Sequence, residues 1–492
     1  MNYRKPLIFL FLLVCAALQA QEFFIPAEPA PKREVRAVWL TTLYGLDWPK
    51  TKATSEAKRK EQQQELCEIL DQLQQCGINT VLLQTRVRGS VIYPSRIEPW
   101  DVALTGSYDK DPGYDPLQFA IDETHRRGME LHAWVVTIPC FKIEVAKKTG
   151  KKSLLNTHPS LLKKHQDSYY LDPGLPESAE YLSNICQEIV KRYDVDGLHF
   201  DYIRYPEGAT SFPDATTFKK YGAKQQKKEE WRRNNVTRIV RKIYADVKAL
   251  KPWVRISCSP VGKYRDVSRY SARGWAAYTT VHQDAQGWLK EGIMDMLCPM
   301  MYFQGDHFYP FAADWQENAY GRTVAPGLGI YFLHPKEKDW EWGVVQRELC
   351  YLRQQGLQGQ AYFRSQFLTE NTKGIYDYLK RDFYPHPALL PAMTWLSEER
   401  PEAPKLLKRE RVNGINEHLE WSATENGGAA CRYAIYASRE TPVDTNRPEN
   451  LVTITWQTEY TYNQLSSTLY GLHLAVTALD RYWNESLPTQ IE

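Results

Sequence analysis

The chain has 492 residues, 43% apolar and 25% charged, which is the composition of a globular protein with a real core. Its formal net charge of +3 is too small to mark a nucleic-acid binder, and the charged run 224–233 mixes signs as a solvated helix face does. Its 15 Trp and 31 Tyr exceed ordinary usage; large cores explain most of them, and sugar-stacking platforms are the functional alternative.

The N-terminus reads as a secretory signal. Arg4 and Lys5 form a basic start, Leu7–Leu13 an apolar run too short to span a bilayer, and Leu18-Gln19-Ala20 precedes a cut before Gln21. Cys15 suggests lipidation as an alternative, but the bulky Val14 before it disfavours that. Simple cleavage of residues 1–20 and an exported, periplasmic or envelope-associated protein are expected, with no transmembrane segment in the mature chain. No Cys-x-x-Cys pair occurs, and Cys67, Cys186, Cys258, Cys298 and Cys350 sit in apolar patterns, so buried free thiols are expected.

From Glu34 strands and helices alternate. Strands are predicted at Glu34–Thr42, Thr80–Thr85, Glu130–Val136, Val195–Pro206, Val254–Val261, Met294–Tyr302, Thr323–Tyr331 and Gln360–Phe367. Helices are predicted at Ala57–Gln75, Asp115–Arg127, Glu177–Tyr193, Trp231–Leu250, Gly287–Glu291, Glu341–Gln354 and Lys373–Arg381. Eight strands with helices between them predict an α/β fold, a (β/α)8 TIM barrel over residues 33–382. A Pro-rich linker at 383–404 follows. Short alternating segments at 405–492, with Trp421, Tyr433, Tyr436 and Leu472–Asp480, resemble a small all-β sandwich of fibronectin type III type.

The segment from Val195 ends in Asp201, Tyr202, Arg204 and Tyr205 before Pro206. Such a burst suits the floor of a barrel site, because catalytic groups gather at the carboxyl ends of the strands. An Asp–Arg pair closing a loop is the plainer alternative. Other strand ends add Trp39 and Thr41, Arg86 and Arg88, His132 and Trp134, Ser259, Tyr302 with Asp306 beyond it, Tyr331, Tyr362 and Arg364. Aromatic, cationic and acidic groups on one concave face suit a polar polymer such as a glycan. His199 and Asp201 point to opposite sides of a strand and no His-Glu-x-x-His or Gly-x-Ser-x-Gly occurs, so neither a metal nor a serine nucleophile is expected. No Gly-x-Gly-x-x-Gly follows a strand, and no cofactor is expected.

The stretches Glu34–Pro49, Gln84–Gly89 with Tyr93–Ser95, and Asp196–Pro206 resemble the bacterial glycosyl-hydrolase-like family 10 barrels. The resemblance runs from about Arg33 to Asp382. It implies an exported glycosidase acting on glycan strands, of the cell envelope among others, with Asp201 as the strand-four carboxylate. A more distant likeness to family 18 chitinases departs at strand four, where His199 and Ile203 stand at positions that family fills with Asp and Glu.

Hydrolysis of a glycosidic bond needs two carboxyl groups, about 5–5.5 Å apart for retention and about 6.5–9.5 Å for inversion. Asp201 is expected as nucleophile or charge stabiliser and Asp306 as general acid, with Asp172 and Glu317 as alternatives. Arg204, Arg86 and Arg88 are expected to lower the Asp201 pKa or to bind acidic sugar substituents; Arg86 and Arg88, two apart, should lean the same way if the strand continues. His132, Trp134, Asp172, Tyr205, Tyr302, Tyr331 and Arg364 complete the expected substrate contacts. The rival reading is a glycan-binding protein on a barrel that has lost its acid. Oligomeric state is not legible in the sequence.

Overall fold

The computed structural model describes residues 28–268, 275–423, 425–426, 429–430, 432–463, 468–469 and 471–491; the expected signal segment lies outside them. Eight parallel strands form the centre: β1 (Val35–Leu40), β2 (Thr80–Arg86), β3 (Glu130–Val136), β4 (Gly197–Asp201), β5 (Arg255–Cys258), β6 (Met296–Leu297), β7 in two pieces (Thr323–Val324 and Gly327–Leu328) and β8 (Gly359–Tyr362). Each strand pairs with its neighbours in sequence, and β1 pairs with β8 from Val35↔Gly359 to Val38↔Tyr362. The first piece of β7 pairs with β6 and the second with β8, so the two ends of the sheet are one segment and the barrel is closed.

Side chains along β1 alternate as the pleat requires. Val35, Ala37 and Trp39 point into the barrel, and Val38 and Leu40 point toward the surrounding helices. Those helices are α1 (Glu56–Gln75), α2 (Pro116–Arg126), α3 (Pro176–Arg192), α4 (Lys228–Leu250), α5 (Ala285–Glu291), α6 (Tyr309–Glu317), α7 (Trp342–Gln354) and α8 (Ile375–Tyr378). Ser55 caps α1, and Leu66, Leu70 and Leu73 make its buried stripe. The sequence pattern did not predict α6, which begins with Pro310 in its first turn and buries Phe311, Ala312 and Trp315.

Three predicted strands are shorter than expected, for local reasons. Pro299 and Pro326 lack an N–H, so β6 stops at Leu297 and β7 is split. β4 stops at Asp201 because Tyr202 adopts a left-handed backbone (φ 53°) and turns the chain away.

Besides a two-stranded ribbon that pairs Glu425–Asn426 with Ala429–Ala430, the C-terminal region has two main antiparallel sheets. Their strands are β9 (Leu406–Val412), β10 (Asn416–Trp421), β11 (Arg432–Ser438), β12 (Leu451–Thr455), β13 (Glu459–Asn463), β14 (His473–Leu479) and β15 (Thr489–Ile491). One sheet runs β9-β10-β13 and the other β12-β11-β14-β15. β11 is buried on both faces: Tyr433, Ile435 and Ala437 join the core between the sheets, while Ala434 and Tyr436 join the cluster that continues into the barrel interior. The Pro-rich stretch 383–404 is therefore not a free linker. Leu389 and Leu390 are fully buried beneath the barrel, and Glu34 N–H donates to the Leu389 carbonyl (2.8 Å). Among the described residues no helix is long and apolar enough to cross a membrane, and no group of His, Cys, Asp and Glu is arranged to hold a metal. Seven described cysteines are free thiols.

A carboxylate site at the mouth of the barrel

β4 carries Asp201 to the mouth as its last residue. The side chain is 6% exposed. Its Oδ1 accepts from the Tyr202 N–H (2.8 Å) and the Ser259 hydroxyl (3.2 Å). The Trp134 indole N–H, which has no hydrogen-bond partner, is within electrostatic reach of it from β3, and so is the Arg204 guanidinium from the following turn. Burial pushes the Asp201 carboxyl above its ordinary value; Arg204 and the N–H and O–H donors pull the other way without cancelling it. The result is a buried carboxylate that keeps hydrogen-bond donors in place for its ionised form.

Beneath it runs a short polar chain. Trp39 donates its indole N–H to His199 Nε2 (3.1 Å), so the ring proton sits on Nδ1 and points to Ser257 Oγ (2.9 Å). Burial and the neighbouring His132 drive the His199 pKa well below its usual value, and the ring is neutral. Beside Asp201 stands an aromatic wall. Tyr302 packs on Phe363 (5.5 Å between centroids) and edge-on to Tyr331 (5.8 Å), and Phe363 meets Trp39 at 5.9 Å. Burial and the nearby Asp201 hold the Tyr302 phenol well above its usual pKa, so it is a neutral O–H donor.

Asp201, Trp134, Arg204, Tyr302 and Tyr331 thus converge at the mouth. Arg88 is half-buried there, within electrostatic reach of Tyr202, and makes no ion pair among the described residues. Arg364 secures the rim by holding the Asp47 carboxylate and the Leu46 carbonyl (3.0 Å). Asp306 is exposed on the turn Gly305–His307 beyond β6.

Other expected contacts lie elsewhere. Arg86 is fully buried against Glu98, with Nη2–Oε1 at 2.6 Å, and reaches neither Asp201 nor the mouth. The cause is a bulge: Gln84 pairs with Trp134 but Arg86 with Val135, so one extra residue in β2 turns Arg86 out toward α3, where Tyr181 also donates to Glu98 (2.8 Å). His132 sits low in the barrel, bonded to Glu130 at 2.9 Å, with its ring against Gly197, where a Cβ would come within 2.7 Å of it. Asp172 ties a loop, accepting from Thr217 (2.6 Å) and Gly174 N–H (2.9 Å). Tyr205 is buried between Phe212 and His282, its ring 5.5 Å from each. Glu317 ends α6 at the foot of the barrel.

Four residues at the mouth were not singled out in the sequence: Tyr44, Glu207, Trp275 and Phe303. Glu207 lies 3.9 Å from the Arg204 guanidinium. The Trp275 ring also lies over that guanidinium at 5.3 Å, Tyr202 being at 4.8 Å. With Lys263, Phe303 and His307 it lines a cleft of ≈ 320 Å³. The available signal was the long β5–α5 connection, since loops at this end of a barrel carry the site.

A family model described as glycosyl hydrolase-like 10 matches residues 34–327. The chain is 34% identical over 484 residues to glycosyl hydrolase YngK of Bacillus subtilis, covering 92% of each chain. It is 34% identical over 336 residues to glycosyl hydrolase DigH of Escherichia coli K12, covering 62% of this chain and 76% of that one. The PgaB (BpsB) glycoside hydrolase domain of Bordetella bronchiseptica superposes with a TM-score of 0.49 at 14% identity, covering 70% of this chain and 98% of that one.

Proposed function

The chain belongs to the glycosyl hydrolase-like 10 family and is a glycoside hydrolase, and on that premise we propose that it is exported and cleaves the glycan strands of a peptidoglycan-type polysaccharide, with Asp201 as the central catalytic carboxylate. The observation that carries this is the setting of Asp201: a buried carboxyl at the carboxyl end of β4, held by Tyr202 N–H and Ser259 and faced by Tyr302 and Arg204. Positive charge develops at the anomeric carbon in the transition state of glycoside cleavage. A carboxylate excluded from water, with its donors already in place, stabilises such charge more than a solvated one does. Tyr202 N–H and Ser259 orient that carboxylate, and Tyr302 and Arg204 supply donors near it for the sugar.

The second carboxyl role falls to the rim. Asp306 remains our assignment for the general acid; Glu207 is the second candidate, because it alone of the two is within ion-pair distance of Arg204. Export rests on the basic, apolar and small-residue order of residues 1–20. We read the C-terminal unit as fibronectin type III-like, supported by its three- and four-stranded sheets in the orders given above.

The test is hydrolysis of peptide-free peptidoglycan strands and a panel of other polysaccharides by the purified protein, followed by new reducing ends. Strand cleavage that falls at least 10²-fold in Asp201→Asn is expected, the range general acid–base or nucleophilic groups supply. Undiminished cleavage by that variant overturns the assignment of Asp201, and cleavage confined to another polymer overturns the substrate.

A further inference from the structure

The exposed aromatic side chains among the described residues are Tyr44 (64%), Tyr320 (47%) and Trp275 (41%). Tyr320 is in the turn at the foot of the barrel, between α6 and β7. The other two stand on mouth loops: Tyr44 follows β1 and Trp275 follows β5. In a closed ring of eight strands β1 and β5 are four apart in either direction, so these loops face one another across the mouth.

A line of neighbouring residues leads from one to the other past Asp201. Tyr44 shares a cleft with Arg88, and Arg88 is within electrostatic reach of Tyr202. Tyr202 donates its backbone N–H to Asp201 and lays its ring against Arg204 (4.8 Å). Trp275 also lies over Arg204 (5.3 Å) and lines the ≈ 320 Å³ cleft with Phe303. Arg204 is 4% exposed, and its Nε has no hydrogen-bond partner, although a buried guanidinium N–H ordinarily has one. Single exposed aromatics are ordinary on protein surfaces, but two on opposite mouth loops of a glycosidase barrel are placed to meet substrate, and the apolar C–H face of a pyranose fits an aromatic face.

We propose that Tyr44 and Trp275 are sugar-stacking platforms on opposite sides of Asp201, so that the mouth is a through groove that holds a glycan chain on both sides of the bond to be cleaved. Arg204 then fixes the Trp275 platform. Cleavage in such a groove falls inside the chain. This deepens the glycosidase reading and rests on it for the scissile position at Asp201.

The experiment uses the full chain with peptide-free peptidoglycan strands fractionated by length. Binding is measured with Asp201→Asn, so that hydrolysis does not intervene. Affinity is expected to rise with length until both platforms are covered. Tyr44→Ala and Trp275→Ala should each weaken binding of long strands by about two- to tenfold, the range an aromatic contact supplies. Both side chains are exposed, so neither change threatens the fold, and Tyr44→Phe and Trp275→Phe should keep most of the affinity. With the wild-type enzyme, mean strand length should drop early, before small products accumulate. Affinity that does not grow beyond a disaccharide, or Ala variants that bind as the parent does, would overturn the groove. Release of a single small product from the first minutes would overturn internal cleavage. Length-dependent binding without any hydrolysis would sustain the groove and reject the hydrolase substrate proposed above.

Discussion

Arg432 of the C-terminal sandwich and Glu130 at the start of β3 lie 3.2 Å apart, both buried, though 302 residues separate them in sequence. The same guanidinium bonds Asp196 just ahead of β4 and is enclosed by Trp456 (4.2 Å) and Trp483 (4.7 Å). Trp483 also donates to Glu130 (2.5 Å), and Arg481 pairs with Asp194 (2.6 Å). The foot of the barrel thus presents carboxylates, and the sandwich supplies the cations and indoles that satisfy them.

Arg432→Met should therefore unfold the barrel more readily. Removing one partner of a buried pair costs about 3–5 kcal/mol, because the remaining charge is left without compensation. A chain ending after Pro401 should lose more, since Leu389 and Leu390 would also lose their cover. Chemical denaturation of the variant and soluble expression of the truncated chain are the measurements; a stable, active truncated barrel would contradict the shared core. Burial alone would raise the Asp196 carboxyl, but His125 and Arg432 hold it below the usual range. A depressed carboxyl stabilises the fold above its unfolded pKa of about 3.9 and loses that contribution as pH falls below it. The difference between wild type and Arg432→Met should shrink in that acid window.

Arg86 and Glu98 test a second buried pair, this one beside the helices. Arg86 Nε and Nη2 meet the two Glu98 oxygens at 2.8 and 2.6 Å, and Nη1 reaches the Thr137 carbonyl at 2.8 Å. Lysine keeps the charge but not the fork. Arg86→Lys should lower stability by about 1–3 kcal/mol, with hydrolysis per folded molecule unchanged. A change in KM without a change in melting temperature would return Arg86 to the site.

Much of the barrel was legible because hydrophobic runs at β1 to β5 are long and punctuated by capped helices such as α1 and α2. Asp201 and Arg204 were legible for the same reason, being polar residues at the abrupt end of such a run. Arg86 was misplaced because strand alternation assumes an even pleat, and a bulge of one residue reverses every side chain beyond it. His132 looked like a site residue because its strand is buried throughout; which end of the barrel a side chain occupies depends on its position along the strand. The docking of the sandwich was hidden because β11 reads as an ordinary core strand, and only the tertiary structure shows that its Arg432 faces carboxylates of the barrel.

His199 predicts a pH effect on stability. Its ring accepts from Trp39 and is held neutral by burial. In the unfolded chain it takes a proton below about pH 6.5, and the folded protein does not. The unfolded state therefore binds more protons in that window, and stability falls as pH drops below 6.5, by up to about 1.4 kcal/mol per pH unit for one site. His199→Gln supplies an acceptor for the Trp39 N–H and has no titration. The variant should flatten the stability profile between about pH 6.5 and 5, as read from denaturation midpoints. An unchanged slope would assign it to other histidines.

Asp201 carries the opposite sign. Burial raises its carboxyl above the ordinary value, so the folded protein holds that proton more tightly than the unfolded chain does. Stability from this group is present below the unfolded pKa of about 3.9 and declines as pH rises through the folded value. Wherever the carboxyl is ionised above that value, it is thus a strain on the fold. Asp201→Asn removes that charge and keeps an oxygen that accepts from Tyr202 N–H and Ser259. The variant should melt higher than the wild type at pH 7 and lose its advantage near pH 4, while hydrolysis falls by at least 10²-fold. Calorimetry at the two pH values, with activity measured on the same preparations, separates the two effects. A variant that melts lower at pH 7 would mean that Arg204 and the donors outweigh burial, and Asp201 would then be a structural partner of Arg204 rather than a charge held for the substrate.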